Sequence, residues 1–183
     1  MKFQSIQRLI IVQYKILVLG LAIVLGSFTT GGVDNEYQVK AMFIYNFTKY
    51  IEWPQNQPDN VFRIGVVGKS DIIESLKAIA GQKKVGEKKI EVNSITPDES
   101  EHTYQIIFIS QTQSKEIEKI GKANNGKGVL IIAEESDKFD KGAAINLVTQ
   151  DKKIRFEINQ TQAKNGGIKI SSQLLPLALS VHQ

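Results

Sequence analysis

Apolar and polar positions follow two different periods along this chain, and the elements they predict change character part-way. Between Tyr37 and Trp53 the apolar residues form two helical stripes, Tyr37-Ala41-Ile44-Ile51 and Val39-Phe43-Phe47-Tyr50. Together they are wider than the one face a surface helix buries, so this helix is expected to be covered by the core or by a partner. Asn35 with Gln38 three residues on has the spacing of a capping box at its start. Pro54 disfavours helical geometry at Trp53 and sets the end near Glu52. Residues 62–67 then read as a strand, Gly68-Lys69-Ser70 as a turn with Ser70 capping, and residues 71–80 as a helix. A second strand is expected over 89–95, followed by one helical turn at Thr96-Pro97-Asp98-Glu99. Residues 104–110 and 128–133 are nearly all apolar, the pattern of strands buried on both faces of a parallel sheet. A helix over 114–122 separates them.

The later pattern is shorter and tighter. Residues 144–148 and 153–158 predict an antiparallel hairpin closed by Thr149-Gln150-Asp151-Lys152. Asn159 with Gln162 is a second capping box, opening a brief helix that Gly166-Gly167 ends. Ser171 and Ser172 are expected to cap a final helix with Leu174, Ala178 and Val181 on one side, Pro176 being tolerated in its first turn. Strand–helix–strand units followed by a hairpin predict an α/β layered domain. Its central sheet is mostly parallel, with helices on both faces and a C-terminal antiparallel hairpin.

The beginning of the chain changes how charge is read. Lys2, Arg8 and Lys15 precede an 11-residue apolar run, Ile16 to Gly26, and small or polar residues follow to Gly32. This is the layout of a secretory signal peptide. The alternative is a membrane anchor through residues 9–28, although a spanning helix needs about 20 apolar residues. The expected organisation is a leader over 1–32 and a single domain over 33–183, exported to the periplasm. The leader holds three of the 23 basic residues and none of the 19 acidic ones, which leaves 20 against 19. A nearly balanced chain lacks the basic excess of a nucleic-acid binder. There is no cysteine, so no disulfide framework, thiol nucleophile or cysteine-ligated metal is available.

Candidate chemistry is sparse. Gly68-Lys69-Ser70 sits where a phosphate-binding loop would, but the glycine that such a loop needs five positions earlier is Arg63. His102 and His182 belong to no ligand-spaced cluster. Glu134, Glu135 and Asp137 read as solvated loop charge, and Lys83, Lys84, Lys88 and Lys89 as a basic connection. No acid–base pair, nucleophile or metal set emerges. The chain is expected to be neither an enzyme nor a cofactor carrier.

Three segments carry a resemblance to a known family. They are the stretch from Lys40-Ala41 through Asn46-Phe47 to Trp53-Pro54, then Phe156-Glu157-Ile158-Asn159, then Ile170-Ser171-Ser172-Gln173-Leu174-Leu175 with Ala178 beyond. In order and spacing they resemble the YfiR family of periplasmic regulatory proteins. The resemblance implies a non-catalytic regulator that binds the sensor domain of an inner-membrane signalling protein, a diguanylate cyclase of cyclic-di-GMP signalling or a sensor histidine kinase. Members of the namesake type carry disulfides linked to redox control, which a cysteine-free chain cannot share. A periplasmic small-ligand-binding protein is the alternative reading.

The residues expected to meet a partner are Asn46, Trp53, Glu157, Asn159, Ser172, Gln173, Leu175 and Leu179. Most also have plain structural roles. Asn159 and Ser172 suit helix caps, and Trp53 a core anchor. Asn46 lies among apolar residues on a helix expected to be buried, where its amide needs hydrogen-bond partners. Surplus leucines on the last segment and surplus aromatics on the first point to homodimerisation or partner binding through one of them.

Overall fold

The computed structural model describes residues 33–54, 60–101 and 104–183. The expected leader, residues 55–59 and residues 102–103, His102 among them, lie outside the described residues. The first element is helix α1, Val33–Phe47. It is followed by the short strand β1, Ile51–Glu52, and by β2, Val61–Val67. Helix α2, Ile72–Ala80, leads into β3, Lys84–Val85, and β4, Lys88–Ile95. Strand β5, Ile106–Ile109, helix α3, Ile117–Ala123, and β6, Leu130–Glu134, complete the alternating part. Then come β7, Ile145–Gln150, β8, Lys153–Asn159, helix α4, Gln160–Asn165, β9, Lys169–Ile170, and β10, Ser180–His182.

Eight strands form one sheet in the order β10-β8-β7-β6-β5-β2-β4-β3, and β1 pairs with β9 in a separate two-stranded sheet. Within the large sheet only β3/β4 and β7/β8 are antiparallel. The predicted architecture is therefore present: a mostly parallel sheet that includes the C-terminal antiparallel hairpin β7/β8. The hairpin closes through Asp151 and Lys152, both with positive φ (50° and 60°), the geometry whose twist matches the flanking strands.

Side chains leave the sheet on both faces, as the continuous apolar strands require. Phe62, Ile64, Ile106, Phe108 and Ile132 share one cluster with Ala41, Ile44 and Phe47 of α1 and Ile72 and Leu76 of α2. Ile107, Ile109 and Ile131 share the other with Ile117 and Ile120 of α3. The α3 side packs backbone against backbone. A Cβ on Gly121 would stand 2.7 Å from the Gly142 Cα, so only hydrogen fits. Gly121→Ala is expected to destabilise the fold by about 1–3 kcal/mol through overpacking. Urea unfolding checks this, and an unchanged midpoint would show that the 142 loop simply moves aside.

Three expected helices differ from the observed chain. The first stops at Phe47 and not near Glu52. Thr48 Oγ donates to the Tyr45 carbonyl at 2.7 Å, and Ile51–Glu52 pairs with Ile170 and Lys169. A strand partner more than a hundred residues away overrode local helical periodicity. Its start also moves: at Val33 the helix begins before Asn35, which is therefore not the cap. The final helix is absent. Leu175–Leu177 make a 3-10 turn, Ala178 is extended, and β10 runs parallel to β8. The Leu179 N–H donates to the Phe156 carbonyl at 2.7 Å, so an open sheet edge captured this segment. The helix over 114–122 is split, with a 3-10 turn at Gln111–Glu116 preceding α3.

Candidate functional site

In open α/β sheets ligands bind beyond the carboxyl ends of strands, where the chain reverses its winding direction. Here that point lies between β2 and β5. From β2 the chain goes outward to β4, and from β5 it goes the other way to β6. The position is filled from within. A Cβ at Gly68 (φ 92°), directly after β2, would collide with Ser110 Oγ and stand 2.7 Å from Gln113 Cγ. The Ser70 hydroxyl accepts the Ile72 N–H at 3.4 Å, an ordinary turn into α2.

Beside it, at the end of β6, lies a buried ion pair. Lys40 of α1 is 3% exposed and Glu134 is 5% exposed. The Lys40 ammonium donates to Glu134 Oε1 at 2.8 Å and meets Glu36 Oε1 at 2.6 Å. Glu134 Oε2 accepts the Gln111 N–H at 3.3 Å, and the Tyr37 ring lies 5.3 Å from the ammonium. Burial pulls the Lys40 pKa down, but the hydrogen bonds it donates to Glu134 and Glu36 and their charges outweigh it, holding it above the ordinary lysine value. Glu134 was expected as solvated loop charge; instead it closes strand β6 and ties α1 to the sheet. The Glu135 carboxylate likewise accepts the Thr149 N–H.

Three concave surfaces among the described residues adjoin α1. A groove of about 610 Å³ between α1 and α2 is lined by Tyr37, Gln38, Met42, Asp71, Glu74 and Lys83, among others. A second cleft, about 440 Å³, lies between the other flank of α1, β8 and the C-terminal segment. Its floor is aromatic: Phe156 is 5.1 Å from Phe47 and 5.7 Å from Phe43, centroid to centroid. Between them the helix exposes Val39 (37%) and Met42 (45%) to solvent.

The residues expected to meet a partner do not form one site. Asn46 lines the aromatic cleft and is half-buried, its amide oxygen accepting from the Lys49 ammonium at 2.9 Å. Trp53 packs edge-on against Phe62 at 5.4 Å, and its indole N–H has no partner among the described residues. Glu157 sits on the opposite face of the sheet, accepting from Asn146 Nδ2 at 2.9 Å and from Ser180 Oγ at 3.2 Å. It clamps β7, β8 and β10 together. Asn159 caps α4, its side-chain oxygen accepting the Gln162 N–H at 3.0 Å. The other half of that box is not formed, because Gln162 Nε2 donates to the Asp140 carbonyl.

Ser172, Gln173 and Leu179 are exposed and Leu175 is half-buried, all on the segment around β10. Leu177 (57% exposed) and Leu179 (40%), leading into β10, and Val181 (39%) within it are exposed apolar side chains at this end of the sheet. The four lysines of the basic connection lie at the opposite sheet edge, where Lys84 stands directly across from Lys89. Lysine on an edge strand discourages further pairing. Among the described residues no group of His, Asp and Glu stands close enough to hold a metal ion.

Sequence comparison decides the family. A profile described as YfiR/HmsC-like matches residues 37–179, spanning α1 through the segment that enters β10. The chain belongs to the YfiR/HmsC-like family. None of the curated proteins matches it significantly. Two solved structures share the fold of this YfiR-like chain. One is the ABC domain in complex with L-Trp from Streptococcus pneumoniae, 16% identical, with a TM-score of 0.55. The other is a conserved domain protein from Vibrio cholerae O1 biovar El Tor N16961, 17% identical, with a TM-score of 0.56. Each likeness covers 79% of this chain and 60% of the other, and concerns the fold alone.

Proposed function

We propose that this chain loses residues 1–32 as a leader on export and works in the periplasm as a non-catalytic regulator. It binds the sensor domain of an inner-membrane signalling protein, a diguanylate cyclase or a sensor histidine kinase. The observation that carries this reading is the YfiR/HmsC-like match over 37–179. No helix among the described residues is long and apolar enough to cross a membrane, in keeping with a partner that supplies the membrane anchor. The docking surface is the outer edge of β10, where Leu177, Leu179 and Val181 are exposed beside an unpaired strand edge. A partner can add a strand there and cover the leucines.

The test is co-purification in mild detergent with the membrane cyclase or kinase encoded beside this chain in its native genome. The wild type is expected to co-elute, and Leu179→Asp, at a 40% exposed position, to fold normally and lose at least ten-fold in recovered partner. Absence of wild-type co-elution would overturn the proposal. A second reading, a small-ligand binder, draws on the aromatic cleft of about 440 Å³, a size that suits small ligands, and on the ligand-bound state of the S. pneumoniae structure. A rise in melting temperature with an apolar small molecule, abolished by Phe43→Ala, would favour it.

A further inference from the structure

We infer that the β3–β4 hairpin is a docking surface for an anionic phospholipid bilayer, which it meets through a cluster of lysines around Tyr45. This goes beyond the regulator proposal, which concerns a protein partner on β10, and its test needs no such partner. The first observation is the charge. Lys83, Lys84, Lys88 and Lys89 fall within seven residues, with Glu87 as the one carboxylate among them. Lys83, Lys84 and Lys89 are exposed and Lys88 is half-buried. None of the four forms an ion pair among the described residues. Lys84 stands directly across from Lys89, a like-charge pair that costs stability. Guarding the sheet edge explains lysine on β3 but not Lys89, which is paired on both sides, with Lys84 of β3 and Val61 of β2.

The second observation is the platform that carries this charge. The Tyr45 hydroxyl donates to the Lys84 carbonyl at 3.3 Å, fixing the hairpin to α1. The Lys49 ammonium lies 5.2 Å from the centre of the same ring and adds an exposed fifth lysine. A Cβ at Gly86, in the turn, would meet nothing within 4 Å, so the tip projects from the rest of the domain. Tyrosine, apolar along its ring and polar at its hydroxyl, is favoured at membrane interfaces.

Shape and charge together select the bilayer. The lysines surround a projecting turn and present point charges on flexible stems, without the fixed fork that reads one carboxylate or phosphate. A fluid layer of phosphodiester headgroups adapts to such a surface, and each lysine beside it is worth about five-fold in binding. Beyond residue 32 the chain holds 20 basic against 19 acidic residues, so the attraction must come from this local cluster and not from net charge. The sheet supplies the orientation. Strands β3 and β10 are its opposite edges, about 34 Å apart along the sheet at the usual strand spacing. Lipid at β3 therefore leaves the β10 edge free for a protein.

The test is flotation of the purified full chain in low salt with vesicles of phosphatidylcholine, alone or mixed with phosphatidylglycerol. The wild type is expected to bind the anionic vesicles more tightly and to be released from them as sodium chloride is raised. Lys84→Glu and Lys89→Glu are each expected to lose about ten-fold or more of that binding. Their melting temperatures should be no lower than that of the wild type, because each turns the like-charge cross-strand pair into an opposite-charge one. Lys164→Glu makes the same change in net charge on α4, at an exposed position, and is expected to bind as the wild type does. Residues 1–32 are common to every variant, so the comparison isolates the hairpin. Equal binding of the wild type to both vesicles, or to neither, overturns the inference. So does undiminished binding by both hairpin variants, or an equal loss in Lys164→Glu, which would make net charge the cause. Release by inorganic phosphate well below the ionic strength at which chloride acts would also overturn it, marking a discrete anion site in place of a lipid surface.

Discussion

Replacing Lys40 with alanine is expected to remove about 3–5 kcal/mol of folding stability, because it strands the buried Glu134 carboxylate without its cation. The pair joins α1 to the end of β6 at 2.8 Å, with both side chains shielded from water, and Gln111 offers the carboxylate only a 3.3 Å backbone hydrogen bond in compensation. Glu36 is a weaker tether, its side chain 40% exposed. The double variant Lys40→Met, Glu134→Leu is expected to recover most of the loss, since apolar groups of similar volume often replace buried pairs at little cost.

The pH dependence has a definite sign. With its pKa raised, Lys40 holds its proton more tightly in the folded state than in the unfolded chain. Its contribution is complete below the ordinary lysine value and is lost as pH rises through the folded one. The gap between wild type and Lys40→Met should therefore be constant through neutral pH and close only in strong alkali. Denaturant titrations at several pH values measure this. A loss below about 1 kcal/mol for Lys40→Ala, the range of surface pairs, would show that the carboxylate swings out to water.

The second large effect is expected at Phe156. Its ring is 3% exposed and stands edge-on to Phe47, while its carbonyl receives the Leu179 N–H. Phe156→Ala should cost about 3–5 kcal/mol, the range for emptying an aromatic core position. Because the ring lines a cleft with Leu174 and Leu177, just before the last strand, amide exchange in residues 179–182 should accelerate more than exchange in β5 or β6. Uniform acceleration across all strands would show that β10 is held by something else.

How far these features were legible in the sequence depended on whether local chemistry decided them. Strands β5 and β6 were readable because residues buried on two faces leave no polar positions. The α4 start was readable because Asn159 meets the Gln162 amide within one turn. The lost ends of α1 and of the expected last helix share another cause. Ile51 pairs with Ile170 and Ser180 with Glu157, contacts that no window of adjacent residues contains. Glu134 was misread for a related reason: nothing near it in sequence announces that Lys40 lies at its side. A signal did exist, since Lys40 falls beside Ala41 and Ile44 on the inward face of α1, and an inward lysine needs a buried carboxylate. The site residues were scattered because capping, clamping and packing each recruited a different member of the same three motifs.

The pairing of β1 with β9 also sets a clock. About 119 residues separate Ile51 from its partner Ile170, so a ribosome adding about 5–20 residues per second takes roughly 6–24 s between them. Throughout that interval α1, with Phe43 and Phe47, lacks the strand that closes its far end and the β8 surface that covers its aromatic flank. A nascent chain in this condition carries uncovered aromatic surface until its later strands arrive.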